Sequence, residues 1–94
     1  MKKVTIYTGP MCNYCEAAKR LLIRNNTSYN EINIANVDGA MDEMIKKANG
    51  KRTIPQIFFN DQHIGGYDEV RALEKENKLQ DLLKKNFKDY SNVL

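Results

Sequence analysis

The sequence predicts one α/β domain over residues 1–94, and three successive patterns support this fold class. The β-branched and aromatic run at 4–7 is typical of a strand, and the apolar spacing from 13 to about 25 is typical of an amphipathic helix. Alternating apolar and polar residues over 29–34 predict a second strand. A strand, a crossover helix and another strand form a parallel, right-handed unit. A chain of this length is large enough for a single core.

The first helical pattern follows a loop that carries the breaker pair Gly9-Pro10 and delivers Cys12 to the helix start. Its apolar positions recur at helical spacing and form one face: Cys15, Ala18, Leu21 and Leu22. We therefore expect Cys15 to lie on the buried side of the helix and Cys12 to be exposed at its tip.

A second helix is expected after Asp38, which we interpret as its N-cap. Its apolar stripe has the spacing i, i+3, i+4, i+7 and comprises Met41, Met44, Ile45 and Ala48. Gly50 is expected to close this helix. We expect the two methionines to fill the core rather than to form a binding surface.

The run 51–59 passes from a basic turn into a strongly apolar strand that carries Pro55. A proline there belongs at the start of the strand, and it can take the cis form. A turn and a short strand at His63-Ile64 complete a hairpin, in which we expect His63 to be a surface or edge-strand residue rather than a catalytic base.

Helical patterns occupy the rest of the chain. Asp68 is expected to cap a third helix, whose inner face carries Val70 and Leu73. The last amphipathic stripe comprises Leu79, Leu82, Leu83 and Phe87. Residues 89–94 show no pattern and are expected to fray.

Composition and charge narrow the possible functions. The net charge is +3 and the charges are interspersed, so no patch marks a surface for nucleic acid. The first residues lack the apolar core of a signal peptide, and no apolar run approaches the length of a membrane span. We therefore expect a cytoplasmic monomer that binds neither nucleic acid nor membrane. Cytoplasmic thiols are kept reduced, so a cysteine pair there is more often catalytic than structural.

The two cysteines of the chain, Cys12 and Cys15, are separated by two residues at the predicted strand-to-helix junction. The free N–H groups and the positive dipole end of a helix favour a thiolate at Cys12. Cys15 then lies within disulfide reach. Cys12 could therefore attack a disulfide, and Cys15 could resolve the mixed disulfide that results.

Two other interpretations of the cysteine pair are open. A tetrahedral zinc site needs two more ligands, and beyond the pair the chain offers only His63 and carboxylates. A structural disulfide would close a very short loop and would constrain the unfolded chain little. We therefore predict a redox pair and no metal site.

Three motifs, in this order, resemble those of a glutaredoxin of the dithiol type, and the resemblance covers almost the whole chain. They are Cys12-Asn13-Tyr14-Cys15, Thr53-Ile54-Pro55-Gln56-Ile57-Phe58 and Ile64-Gly65-Gly66-Tyr67-Asp68. The resemblance implies a thioredoxin fold, which is a four-stranded mixed sheet flanked by helices. Glutaredoxins use glutathione as electron donor and reduce protein disulfides or protein–glutathione mixed disulfides. The resemblance implies the same reaction and the same partners here.

The resemblance also implies roles at the matching positions of the first two motifs. Cys12 would be the nucleophile, Cys15 the resolving thiol and Tyr14 an aromatic wall beside the bound tripeptide. Pro55 would be the cis proline that faces the sulfurs. In the segment Thr53-Ile54-Pro55, the exposed backbone of Ile54 would pair with the cysteinyl part of glutathione as one more strand.

The third motif would hold the γ-glutamyl end of glutathione. Backbone N–H groups of Gly66-Tyr67-Asp68 at the helix start would bind its carboxylate, and the Asp68 side chain would face its ammonium. Asp68 could equally be a plain N-cap. Lys51 and Arg52 are candidates for the glycyl carboxylate, although exposed cations are common in turns.

The chain departs from the family pattern at two places. Asn13 stands where dithiol members usually have proline, and the loop 8–11 lacks a basic residue that often precedes the first cysteine. Some glutaredoxins without that proline bridge a [2Fe-2S] cluster between two subunits through cysteine and glutathione thiolates. A cluster carrier is therefore the alternative function. A thioredoxin-like carrier is a third, but no tryptophan precedes Cys12, and the third motif favours glutathione.

Overall fold

The computed structural model of the protein describes residues 2–84 and contains one four-stranded sheet. The strands are β1 (Val4–Thr8), β2 (Asn30–Asn33), β3 (Gln56–Phe59) and β4 (Gln62–Gly65). Their order across the sheet is β2-β1-β3-β4. The β1–β2 pair is parallel, whereas β1–β3 and β3–β4 are antiparallel. This mixed sheet confirms the predicted fold class.

In the described part of the chain, four helices flank the sheet: α1 (Asn13–Arg24), α2 (Ala40–Lys47), α3 (Tyr67–Lys75) and α4 (Leu79–Lys84). Successive residues of a strand point to opposite faces, so the two central strands, β1 and β3, each contribute to two cores. Ile6 and Phe59 pack with residues of α1, α3 and α4, while Tyr7 and Phe58 pack with Met44 of α2 on the other face. No helix within residues 2–84 is long and apolar enough to cross a membrane.

The sheet register brings two distant loops together. In the antiparallel β1–β3 pair, Tyr7 lies opposite Gln56. The carboxyl end of β1, which leads into the cysteine motif, therefore lies beside the start of β3, which follows Pro55. Because β4 then runs antiparallel to β3, its carboxyl end delivers the start of α3 to the same end of the sheet.

The second helix differs from its prediction at its N-terminus. Asp38 was the expected cap, but this was wrong: Gly39 is the N-cap, with φ +77° and no side-chain cap bond. Glycine adopts this left-handed conformation readily, which places the helix start one residue later than the spacing of polar residues suggested. Ala40 therefore takes the first buried position, and Met41 is 42% exposed rather than in the core.

The remaining helical predictions agree with the structure where they can be compared. Met44 and Ala48 are buried as expected. Gly50 lies three residues beyond the end of α2, and its N–H donates to the Ile45 carbonyl (2.8 Å), which closes the helix. Val70, Leu79 and Leu83 are buried. Phe87 and residues 89–94 lie outside the described part of the chain.

Hydrogen bonds to the Glu74 carboxylate connect the C-terminal end of α1 to α3. Arg24 donates two hydrogen bonds to the Glu74 carboxylate, from Nε (2.9 Å) and Nη2 (2.7 Å). Asn25 Nδ2 (2.6 Å) and Arg71 Nη1 (2.9 Å) donate to the same group. The hydrogen bond from Arg24 is the largest of the contacts that lower the pKa of Glu74 from 4.5 to about 2.

A Glu74→Gln variant should be less stable than the wild type at neutral pH, and this difference should shrink in acid. The pKa of Glu74 is lowered on folding, so its charge stabilises the fold above the unfolded-state pKa, and this contribution is lost as the pH falls from 4.5 to about 2. Urea unfolding of both proteins between pH 7 and pH 2 measures the effect.

The control for this experiment is Glu76→Gln. Glu76 forms an exposed ion pair with Lys78 (3.6 Å), and exposed pairs contribute little to stability. If the difference in the free energy of unfolding between wild type and Glu74→Gln stayed constant down to pH 2, the Glu74 charge would not be what stabilises the contacts of Glu74.

Candidate functional site

The sulfur of Cys12 occupies the N-cap of α1. Cys12 has extended backbone angles (φ −116°, ψ 99°), and its Sγ accepts a hydrogen bond from the Cys15 N–H (3.1 Å). A helix start leaves several N–H groups without carbonyl partners, and a side chain with a negative charge is favoured there. The local structure therefore stabilises a thiolate at Cys12 over a thiol.

Cys12 and Cys15 are joined as a disulfide in this structure, with their Cα atoms 5.2 Å apart. The two sulfurs have different surroundings. Cys15 belongs to the apolar face of α1 and is 1% exposed, whereas Cys12 is half-buried at the helix tip. An external thiol or disulfide can therefore approach Cys12 more readily than Cys15.

The segment before β3 lies opposite the sulfurs. The Ile54–Pro55 peptide bond is cis, as the sequence allowed, and the Ile54 carbonyl oxygen is 3.9 Å from Cys12 Sγ. Pro55 is buried and has no N–H, so it offers no competing donor at this position. The backbone of Ile54 thus lies beside the Cys12 sulfur, on the opposite side from α1.

A groove of about 300 Å³ extends from this point between the starts of β3 and α3. The structure brings to it all seven residues that the family resemblance implied for glutathione binding: Tyr14, Thr53, Ile54, Pro55, Gly66, Tyr67 and Asp68. The rings of Tyr14 and Tyr67 form one wall, with their centroids 5.9 Å apart. Lys51 also lines the groove, whereas Arg52 does not.

The start of α3 differs from the prediction at Asp68. The N-cap is Gly66, so Asp68 lies inside the first turn, and its assignment as an N-cap was wrong. The Glu69 carboxylate reaches back and accepts the Gly66 N–H (2.5 Å), which takes over the capping role. The N–H groups of Tyr67 and Asp68 belong to the first turn, where no preceding helical carbonyl can accept them.

Two adjacent glycines allow α3 to start where it does. Gly65 has φ +132°, and a Cβ there would lie 2.5 Å from Glu69 Oε1, so a side chain would displace the carboxylate that caps the helix. A Cβ at Gly66 would lie 3.2 Å from the Pro55 carbonyl oxygen. The glycine pair thus permits the close approach of the helix start to the cis proline.

Gln56 and Glu69 also line the groove, and the sequence analysis gave neither a role. Glu69 could have been found as an acidic residue three positions after a possible N-cap, the spacing of a capping box. Gln56 is polar and 1% exposed in an otherwise apolar strand, and a buried polar side chain calls for a partner.

Within residues 2–84, no three or more His, Cys, Asp or Glu side chains are grouped so that they could hold a metal ion. His63 lies on β4, at the edge of the sheet, with Nε2 2.7 Å from Gln56 Oε1.

Known proteins resemble this chain in sequence and in fold. The family model for glutaredoxin matches residues 4–64. Glutaredoxin 3 of Escherichia coli K12 is 44% identical over 84 residues, which cover 89% of this chain and 100% of that protein. The solution structure of a glutaredoxin from Brucella melitensis has a TM-score of 0.77 and 45% identity, covering 89% of this chain and 90% of that one.

A more distant structure is that of a buckwheat glutaredoxin–glutathione complex. It has 26% identity and a TM-score of 0.78, and the match covers 87% of this chain and 76% of that one. Sequence and fold point to the same family. The chain therefore belongs to the glutaredoxin family, with Cys12 and Cys15 as its redox-active pair.

Proposed function

We propose that this protein is a glutathione-dependent thiol–disulfide oxidoreductase that reduces protein disulfides and protein–glutathione mixed disulfides. The observation that carries the proposal is the Cys12 sulfur at the helix N-cap, 3.1 Å from the Cys15 nitrogen, next to a groove suited to a tripeptide. The buckwheat relative, which was solved with glutathione, supports the choice of tripeptide.

The proposed monothiol reaction uses Cys12 alone. Its thiolate attacks the glutathione sulfur of a protein–glutathione mixed disulfide, a Cys12–glutathione bond forms, and the substrate leaves as a thiolate. A second glutathione thiolate then attacks the glutathione sulfur of this intermediate. The products are oxidised glutathione and the free Cys12 thiolate, so one free glutathione is consumed for each substrate thiol released, and the glutathionyl group of the substrate becomes the other half of the oxidised glutathione.

The proposed dithiol reaction adds Cys15. Cys12 first forms a mixed disulfide with the substrate protein, and Cys15, deprotonated, attacks the Cys12 sulfur. The substrate leaves as its second thiol, and the Cys12–Cys15 disulfide of this structure is the oxidised product. Two glutathione molecules return the pair to its reduced state.

The charged and polar groups that line the groove are complementary to those of glutathione. The first-turn N–H groups of Tyr67 and Asp68 can bind the γ-glutamyl carboxylate, and the exposed Asp68 carboxylate can pair with its ammonium. Ile54 can pair through its backbone with the cysteinyl part, which brings the glutathione sulfur toward Cys12. Lys51 at the groove margin can pair with the glycyl carboxylate.

The alternative function, as a carrier of an iron–sulfur cluster, would also use the Cys12 sulfur. Iron–sulfur clusters are held by thiolates, and Cys12 is the accessible one because Cys15 is 1% exposed. The site thus fits one protein ligand per chain, and a bridging [2Fe-2S] cluster would need two chains and two glutathione molecules. This alternative stays a prediction based on Asn13.

We propose that the reaction takes place in the cytoplasm, where the glutathione pool is reducing, and that the chain acts as one domain and as a monomer. Exchange through Cys12 and Cys15 needs no residue from a second copy. Both sulfurs and the groove lie within one chain.

The two cysteines should respond differently to substitution. Cys12→Ser should abolish both activities, because a serine hydroxyl is scarcely ionised and cannot replace a thiolate. Cys15→Ser should keep the reduction of a glutathionylated peptide and lose most reduction of a protein disulfide. Both variants are assayed with both substrates at one glutathione concentration.

The activity of Cys15→Ser toward the glutathionylated peptide decides between the monothiol mechanism and a dithiol carrier. If this variant were as inactive as Cys12→Ser toward the glutathionylated peptide, the monothiol step would be wrong. A dithiol carrier of the thioredoxin type would then describe the protein better.

Asp68→Asn should raise the KM for a glutathionylated peptide about threefold to fivefold, because an exposed charge pair with the γ-glutamyl ammonium is lost. Asp68 is not the helix cap, so the free energy of unfolding should change little. Steady-state kinetics and urea unfolding measure the two effects.

The matched control is Asp61→Asn, the same change at an exposed carboxylate in the β3–β4 turn, away from the groove. An equal KM for the two variants would remove Asp68 from glutathione recognition.

A further inference from the structure

A chain of hydrogen bonds runs from the edge strand to the loop before the cis proline. The Gln56 amide nitrogen Nε2 lies 3.0 Å from the Thr53 carbonyl oxygen and 3.1 Å from Thr53 Oγ1. The Gln56 Oε1 atom lies 2.7 Å from His63 Nε2. Gln56 is 1% exposed, so its amide has little access to water and depends on these partners.

The direction of each bond follows from the chemistry of the atoms. A backbone carbonyl only accepts, so the Gln56 atom that faces Thr53 must be the NH₂ group. Its oxygen therefore faces His63, and His63 must donate from Nε2. The chain runs in one direction, with His63 donating to Gln56 and Gln56 donating to Thr53.

The bond to Thr53 also sets the direction of a second backbone group. Within residues 2–84, the one cis peptide is Ile54–Pro55, so the Thr53–Ile54 peptide is trans. In a planar trans peptide, the C=O and the N–H point in opposite directions. Because the Thr53 carbonyl points to Gln56, the Ile54 N–H points away from Gln56.

We propose that Gln56 and His63 are positioning residues for glutathione: His63 fixes the Gln56 amide, Gln56 fixes the Thr53 carbonyl, and the peptide so held presents the Ile54 N–H to the cysteinyl carbonyl of glutathione. This inference rests on the proposed glutathione-dependent function. The two side chains select the glutathionyl group, while Cys12 and the helix start supply the reactivity.

The surroundings of His63 suit this role. Its ring lies against Phe58, with the centroids 5.1 Å apart. Burial is the main cause that lowers the pKa of His63, the Lys51 charge adds to it, and the Glu69 charge opposes it. The ring is therefore neutral at pH 7 and carries one proton, which the hydrogen-bond chain requires at Nε2.

The test compares two mixed disulfides of one peptide, one with glutathione and one with 2-mercaptoethanol, which has no peptide group to pair with Ile54. The rate constant for each is measured on Cys15→Ser protein, and their ratio expresses the selection of glutathione. Gln56→Leu and His63→Phe should each lower this ratio about fivefold to tenfold, the effect of one hydrogen bond. The rate of His63→Phe with the 2-mercaptoethanol disulfide should stay unchanged, because His63 does not line the groove.

Two further variants separate positioning from general damage. His63→Gln restores an N–H donor and should keep most of the ratio. Gln62→Leu makes the same change as Gln56→Leu at an exposed neighbour on β4 and should leave the ratio unchanged. If Gln56→Leu does not fold, the two His63 variants suffice, since His63 is only half-buried.

A second measurement, ¹⁵N NMR of the His63 ring, tests the direction of the hydrogen bonds between His63, Gln56 and Thr53. The protein has one histidine, so its ¹⁵N ring signals are unambiguous, and they should show the Nε2–H tautomer at pH 7.5. The Nδ1–H tautomer would reverse the Gln56 amide and overturn the proposal.

The outcomes also distinguish this inference from the proposed function. A wild type that prefers glutathione, with an unchanged ratio in His63→Phe, would overturn the positioning role alone. A parent protein with no preference for the glutathionylated peptide would overturn both.

Discussion

The hydrogen bond from the Cys15 N–H to the Cys12 sulfur is the interaction on which the site depends. A helix start needs an acceptor for its free N–H groups, and a thiol–disulfide exchanger needs a stabilised thiolate. The Cys12 sulfur is both the acceptor at the helix start and the candidate thiolate. The loop 8–11 has no basic residue, so more of the stabilisation of a Cys12 thiolate is left to the helix start. This loop packs closely on the residue before the cis proline: a Cβ at Gly9 would lie 2.6 Å from Ile54 Cδ1, so the end of the Ile54 side chain would have to shift.

The sheet topology explains why three distant segments meet at one end of the molecule. The antiparallel β1–β3 pair sets the cysteine loop beside the cis proline, and the β3–β4 hairpin returns the chain to begin α3 at the same edge. Two helix starts therefore face one region. The start of α1 donates an N–H to the Cys12 sulfur. In the proposed binding mode, the start of α3 offers its N–H groups to the γ-glutamyl carboxylate of glutathione. The groove between them is polar at both ends and aromatic along the wall formed by Tyr14 and Tyr67.

Hydrophobic periodicity predicted the strands, the hairpin and the contrast between Cys12 and Cys15, because burial of apolar faces determines all of these. The helix caps were harder to predict, because side-chain spacing does not report them. Helix α2 starts at Gly39 through its left-handed backbone conformation, and α3 starts at Gly66, whose N–H is bound by the Glu69 carboxylate. The residues that line the groove were predicted from the family motifs and not from hydrophobic periodicity. The Gln56–His63 contact crosses a hairpin, so it depends on a strand register that composition alone does not specify.

The pH dependence of alkylation of the fully reduced protein tests the central claim most directly. Iodoacetamide reacts with the thiolate, so the rate of labelling at each cysteine follows its ionisation. The account predicts a Cys12 midpoint well below the ordinary thiol value of about 8.5 and little labelling of Cys15. A Cys12 midpoint near the ordinary value, or equal labelling of the two sulfurs, would contradict it.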